Sequence, residues 1–376
     1  MKFGGTSVGT PQRMGQVAEL AGNGDKNIVV LSAMSGDTNT LIKVAECFDE
    51  SRLPEAFAII TDLYKKYTET IRTLIADEMT ATMALSEIDN HLAELPDLNK
   101  EEIVAKGEII STTIMYYYLM SQGASVTMLP ALLFMRTKED GSPDYDFIGS
   151  KLSALLQRTK AQIIITQGFI CRDSNGEISN LKRGGSDYSA TIIGSVLHAE
   201  EIQIWTDIDG LHNNDPRYVE DTVPVRHLSH SQAAALAYFG AKILHPLCIE
   251  PAQKAEVAVK LLNTFASSAP GTIIDNVTAD GDIIAVAARD GIALRIDSES
   301  TLTFADSDDT YIFASAESHP RELAAVCAVG DIDASRLSDK LMHAGITPIA
   351  ADTIPVGAIA VVTAGEKVAA LQALRS

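Results

Sequence analysis

The sequence has no uninterrupted apolar run approaching the roughly 20 residues that a membrane-spanning helix needs, and no signal-peptide core near its start. A cytoplasmic location is therefore expected. Basic residues are scarce: 30 Lys and Arg stand against 50 Asp and Glu, for a formal charge of −20. Such a chain repels nucleic acid and anionic membrane, so neither is expected as a partner, and a polyanionic ligand must be met by cations gathered locally. Cysteine is sparse too. Cys47, Cys171, Cys248 and Cys327 are scattered without a C-x-x-C spacing, which reads as reduced core thiols and as no metal cluster. Two phosphate-binding signatures are also missing: G-x-x-x-x-G-K-[ST] occurs nowhere, and no G-x-G-x-x-G follows a strand. A nucleotide, if bound, is held by another arrangement.

What the chain does contain is ample apolar material, 46% of 376 residues, and a length that exceeds one core, so two or more domains are expected. Its most informative stretch is 181–197, L-K-R-G-G-S-D-Y-S-A-T-I-I-G-S-V-L. Lys182 and Arg183 precede Gly184 and Gly185; Ser186, Asp187 and an apolar series at helical spacing follow. Small residues at a helix start let backbone N–H groups and the positive end of the helix approach an anion. The stretch reads either as a phosphate or carboxylate cradle or as an ordinary glycine turn before a helix, and alone it does not choose.

Apolar runs at 27–33 and 162–170, with shorter strand-like segments at 125–129, 201–205 and 257–263, fit a parallel sheet whose central strands are buried on both faces. Residues 41–95 read as a helical lobe. Residues 101–122 read as a helix carrying Gly107 between Lys106 and Glu108. A glycine inside a helix costs about 1 kcal/mol relative to alanine, so its presence implies that something approaches closely. Glu108 could equally pair with Lys106 or a helix neighbour. Tyr116, Tyr117 and Tyr118 read as packing residues. An Asn-Gly turn at 173–176 marks a hairpin, and Ser229 with Gln232 forms a capping box before a helix at 233–239. His227, His230 and His245 read as capping or packing groups.

Strands alternating with helices in this way predict an α/β fold, a sandwich around a mostly parallel sheet. A small-residue linker at 267–271 precedes a β-rich α+β region with strands at 283–288, 293–296, 311–314, 324–329 and 358–363 and helices at 334–344 and 366–375. Polar loops fall where strands end: Lys2 with Gly4, Gly5, Thr6 and Ser7, the loop around Thr38, and 183–187. Their shared requirement is an anion, and open α/β sheets place ligands at such loops. The first loop follows Met1 so closely that a trimmed first strand is expected.

Four fragments carry a resemblance: K-F-G-G-T-S-V at 2–8, K-R-G-G-S-D at 182–187, W-T-D at 205–207 with Gly210 and D-P-R at 215–217, and F-G-A-K-I-L-H-P at 239–246. In this order, over about residues 1–275, they resemble the aspartokinases of the amino-acid kinase superfamily. The resemblance implies a three-layer sandwich catalytic domain at 1–275, with a helical lobe at about 41–122, and an ACT-type regulatory region at 282–376 that looks short for two copies. It implies ATP-dependent phosphorylation of L-aspartate to 4-phospho-L-aspartate, the entry to lysine, threonine and methionine.

By the family's pattern, Lys2 and Asp187 are catalytic, with Asp187 orienting Lys2. Thr38, Glu108, Arg183, Gly184, Gly185 and Ser186 hold the substrate, Arg183 its α-carboxylate and Glu108 its ammonium. Lys2, Gly4, Gly5, Thr6, Ser7, Thr206, Asp207, His212, Asp215, Arg217 and Lys242 serve ATP, with Mg²⁺ bridging phosphates rather than sitting in a protein site. The loop L-H-N-N at 211–214 departs from the family's tyrosine and threonines, and His212 would take the aromatic's place on adenine. An amino-acid effector, lysine first, and a homodimer through the ACT region also follow. The alternatives are a kinase of glutamate or another small acid and a non-catalytic ACT sensor.

Overall fold

A computed structural model describes residues 1–24, 26–182, 184–241, 244–292, 295–296, 302–303 and 322–374. In chain order the elements are β1 (Lys2–Phe3), α1 (Pro11–Ala21), β2 (Asn27–Leu31), α2 (Asp37–Asp49), α3 (Leu53–Leu74), α4 (Glu78–Ala93), α5 (Lys100–Ser121), β3 (Val126–Met128) and α6 (Tyr145–Leu156). There follow β4 (Ile163–Gln167), β5 (Ile170–Arg172), β6 (Ile178–Asn180), α7 (Gly185–Val196), β7 (Ile202–Thr206), β8 (His227–Ser229), α8 (His230–Tyr238), α9 (Pro246–Ala255) and β9 (Val259–Asn263). The last part holds β10 (Thr272–Asp275), β11 (Ala285–Ile292), β12 (Arg295–Ile296), β13 (Leu302–Thr303), β14 (Leu323–Val329), α10 (Ala334–His343), β15 (Ala350–Ile354), β16 (Gly357–Thr363) and α11 (Lys367–Ala373).

The chain divides into two compact units, Met1–Ile208 with Lys254–Ala269, and Asp209–Gln253 with Pro270–Ser376. This differs from a single cut at 267–271, because the segment after β7 leaves the first unit and only α9's end and β9 return to it. In the first unit the strand order is β3-β4-β2-β1-β7-β9, and each pairing is parallel. β4 is buried along its whole length, as a strand covered on both faces must be, which is why its sequence is a nearly unbroken apolar run. That run was expected to continue to 170. It stops at Gln167 because Phe169 takes a left-handed conformation, φ 65°, and Ile170 opens the antiparallel β5–β6 hairpin.

The helices of the expected lobe are α2 to α4, packed with α5 around a core that includes Leu41, Tyr67, Ile71, Ile88 and Ile110. α5 begins at a capping box between Asn99 and Glu102 and buries most of its length. Gly107 has the reason that its helix position demands: a Cβ there would lie 2.9 Å from Ala33 Cβ and 3.3 Å from Leu41 Cδ1. The missing side chain lets the loop after β2 lie directly on the helix.

The second unit contains the parallel pair β8–β10 and an antiparallel sheet in the order β11-β14-β16-β15. Its core combines β14 and β16 residues such as Val326 and Val362 with Leu337 and Leu341 of α10 and Leu371 of α11. Ser229 and Gln232 form the expected capping box at α8. The strand expected at 311–314 lies outside the described residues, as does part of that at 293–296. β15 was not anticipated, because its sequence A-A-D-T-I has no clear alternation and it is only partly buried.

Candidate active site

Parallel strands point their carboxyl ends the same way, so the loops after β1, β2, β4 and β7 gather at one edge of the first unit's sheet. A cavity of about 450 Å³ opens there. Gly5 and Thr6 reach it from the loop after β1, residues 32–36 from the turn between β2 and α2, Thr38 from the first turn of α2, Phe169 from the turn after β4, Lys182 from the turn before α7, and Gly184 to Asp187 from the start of α7. Lys2 and Glu108 complete it.

The charges are arranged in two groups. Lys2 Nζ lies 2.6 Å from Asp187 Oδ1, both side chains being largely buried. Lys2 comes from β1, and Asp187 from the first turn of α7, where the positive end of the helix favours an anion. Glu108, on α5, is 3% exposed. Its Oε1 accepts a hydrogen bond from the Ala33 N–H at 3.1 Å. Its Oε2 is buried and has no hydrogen-bond partner among the described residues. Burial pushes the Glu108 carboxyl up to about 7, against the Ala33 bond and the Lys2 charge. The competing pairing with Lys106 is not made; Lys106 bonds Glu94 and approaches His91.

Close backbone approach builds the cradle. Gly184 has φ 70° at the α7 N-cap, and a Cβ on Gly185 would meet Phe169 Cδ2 at 2.6 Å. Two residues at the rim, Phe169 and Lys182, hold left-handed φ values of 65° and 58°. Left-handed non-glycine residues cost free energy and gather at functional sites. Phe169, Met34 and the backbone of 32–34 were not among the expected site residues. The cue for Phe169 was its place at the carboxyl end of the most apolar strand.

The other expected residues fall in several places. Gly4 lies in the same loop as Gly5, while Ser7 is fully buried and shares a 2.8 Å hydrogen bond with Thr264. Thr206 and Asp207 end β7, next to β1, and the Thr206 hydroxyl donates to Asp207 at 3.3 Å. His212, Asp215 and Arg217 belong to the second unit. There, His212 pairs with Thr222 at 2.8 Å and Asp209 at 2.9 Å, and Arg217 Nε donates to Asp215 at 2.9 Å. Arg183 and Lys242 lie outside the described residues. Among the described residues no group of three or more His, Cys, Asp or Glu is placed to hold a metal ion.

Residues 1–263 match the amino acid kinase family. The chain belongs to that family. Among curated members it is 32% identical over 321 residues to the bifunctional aspartokinase/homoserine dehydrogenase 1, chloroplastic, of Zea mays, covering 78% of this chain and 34% of that protein. To lysine-sensitive aspartokinase 3 of Escherichia coli strain K12 it is 33% identical over 291 residues, 74% of this chain and 64% of that protein. The chain thus spans about a third of the length of the bifunctional relatives. The crystal structure of E. coli aspartokinase III in complex with aspartate and ADP aligns with a TM-score of 0.80 at 24% identity, covering 99% of this chain and 98% of that one. The fold is therefore that of the aspartokinase structure, mixed α/β with a mostly parallel sheet and a further β-rich region toward the carboxyl terminus. No helix among the described residues is long and apolar enough to cross a membrane.

Proposed function

We propose that the chain transfers the γ-phosphoryl group of ATP to the β-carboxylate of L-aspartate, giving 4-phospho-L-aspartate and ADP. The observation that carries this reading is Glu108: a buried carboxylate with one free oxygen, facing a cradle of glycines, a hydroxyl and a lysine. An acceptor with an ammonium group satisfies the carboxylate, and its own carboxylates meet the cations and N–H groups. The aspartokinase relatives support the same assignment.

The acceptor carboxyl has a reference pKa of about 4, so it reaches the site as the nucleophile and needs no general base. The remaining tasks are to bring two anions together and to stabilise charge on the transferring phosphoryl. Lys2 is the buried cation for that charge, with Asp187 fixing its ammonium. Gly184, Gly185 and Ser186 offer N–H and hydroxyl donors, with Thr38 on the opposite wall. Arg183 takes the acceptor's α-carboxylate. By the family's pattern, Gly4, Gly5, Thr6, Ser7, Thr206 and Asp207 serve the nucleotide in this proposal, and the same pattern assigns His212, Asp215, Arg217 and Lys242 to it. Mg²⁺ enters with the ATP phosphates, consistent with its preference for phosphate oxygens and water over an all-protein cage. The local bonds of His212 argue against its ring lying free to stack on adenine.

We also propose a catalytic domain at 1–275, an ACT-type regulatory region at 282–376, inhibition by an end-product amino acid with lysine first, a homodimer and a cytoplasmic location. The deciding experiment is ADP release in the presence of ATP and Mg²⁺, with aspartate and glutamate compared. Aspartate should give the higher kcat/KM, and Lys2→Ala should lower kcat by about a hundredfold or more. Folded protein inert toward aspartate, or faster with glutamate, overturns the assignment.

A further inference from the structure

The turn between β2 and α2 is held by an ion pair between a buried carboxylate and a partly exposed lysine, which the proposed chemistry leaves unused. Asp37 opens α2 directly after Gly36 and is 2% exposed. Its Oδ2 accepts a hydrogen bond from the Tyr67 hydroxyl at 2.8 Å. Its Oδ1 lies 2.5 Å from Lys66 Nζ, and the same ammonium donates to the Ser35 carbonyl at 3.3 Å. Tyr67 is fully buried in the lobe core. Thus two successive residues of α3 reach across to a turn whose residues Ser35, Gly36 and Thr38 line the cavity.

Burying charge is costly, several kcal/mol per ion even after relaxation, and an apolar residue is often the more stable choice at such a place. A stabilising role at the helix N-terminus would explain Asp37 by itself. It does not explain why the neutralising cation also bonds a carbonyl within the turn. The turn contains Gly36 in a left-handed conformation, φ 86°, which glycine adopts freely and which would otherwise leave it loose. Its two sides are pinned separately: the Ala33 N–H by Glu108, at 3.1 Å, and the Ser35 carbonyl by Lys66. The Asp37 N–H closes the turn onto the Met34 carbonyl at 3.0 Å.

We infer that Lys66 and Asp37, braced by Tyr67, are positioning residues that clamp the Ala33 to Thr38 turn against Glu108 and so preform the acceptor pocket. The inference rests on the acceptor-site reading above, in that this turn is the wall that an amino-acid acceptor would touch. Lys66 also neutralises Asp37, so that Glu108, which shares the cavity with the charged residues Lys2, Lys182 and Asp187 among those described, does not face a second uncompensated carboxylate. Lys66 keeps a third of its side chain in solvent, 34%, so its replacement opens no cavity in the core, and its cost falls on the charge left on Asp37.

Four variants test the clamp: Lys66→Met, Asp37→Asn, the double variant, and Lys66→Arg. Lys66→Met should raise KM for aspartate by about tenfold, with KM for ATP unchanged and kcat within about threefold, because a loosened pocket loses acceptor binding first. Lys66→Arg should recover most of that loss. The double variant removes both charges, so it should regain melting temperature relative to either single variant but not acceptor affinity, since the Ser35 carbonyl stays unpinned. An ion pair serving stability alone would instead regain both. Hydrogen exchange gives a readout independent of the substrate: amides of residues 34–39 should exchange faster in Lys66→Met than in the parent. Unchanged exchange there, or equal rises in both KM values, overturns the clamp. A parent protein inert toward aspartate would instead overturn the acceptor assignment, with the exchange result still deciding the clamp.

Discussion

At the scale of single residues, Glu108 is the most testable group. Its carboxyl is raised from 4.5 to about 7 by burial. For an acid raised in the folded state, the protonated form is the favoured one, so the stability it contributes is full below 4.5 and is lost as pH rises through about 7. Binding an ammonium has the opposite requirement, since only the carboxylate holds it well. Aspartate affinity should therefore fall as pH drops below about 7, approaching tenfold per unit. Isothermal titration from pH 5.5 to 8.5 checks the slope, and Glu108→Gln should bind weakly at every pH with no slope left. A flat profile in the parent protein would remove Glu108 from the ammonium site.

Glu108 also shows how far sequence reading reaches at this scale. Its neighbour Gly107 signalled a close approach, and the approaching group is Ala33. The signal did not say whether Glu108 would turn to Lys106, because a helical neighbour and a distant loop are equally compatible with its position. Lys2 beside Asp187 was expected from the family pattern; that Asp37 would be buried with Lys66 and Tyr67 was not, because three residues from two helices meet only after α2 and α3 pack.

At the scale of elements, the site depends on α5 and the loop after β2 touching without a side chain between them. Gly107→Ala improves helix propensity by up to about 1 kcal/mol, yet its methyl would fall 2.9 Å from Ala33 Cβ. Ala33 has no flexible end to swing away, so the loop must shift. The expected outcome is a protein that remains folded, with stability changed by less than about 3 kcal/mol, and a KM for aspartate raised at least fivefold over that for ATP. Calorimetry and steady-state kinetics check the two halves. An unchanged KM for aspartate would mean that the loop tolerates the methyl.

β2 and β4 were legible as continuous apolar runs, the mark of strands covered on both faces, and β7 and β9 as short segments in which apolar residues recur around a polar one. The helical lobe was legible too. α6 went unread, as did the short strands β8, β10 and β15, where three to five residues with mixed polarity acquire strand geometry from a neighbour rather than from their own pattern.

At the scale of the whole molecule, the resemblance implies a homodimer regulated by an amino acid. Light scattering at micromolar concentration should give a mass of twice 40.2 kDa, and lysine should raise the melting temperature and slow ADP release, since a ligand that binds the folded state stabilises it. A monomeric mass removes the dimer, and threonine or methionine acting in place of lysine reassigns the effector. The formal charge of −20 makes local cations necessary for any such anionic chemistry.

The sequence by itself determined the fold class, the order of the glycine loops and the identity of the charged residues beside them, because apolar periodicity and backbone permissiveness are local properties written residue by residue. Only the tertiary structure decided which groups meet: Lys2 with Asp187, Glu108 with Ala33, Asp37 with Lys66 and Tyr67. The physical reason is distance along the chain. Lys2 and Asp187 face each other because α7 leads into β7, the strand that lies beside β1, and packs on both, which brings its first turn to Lys2.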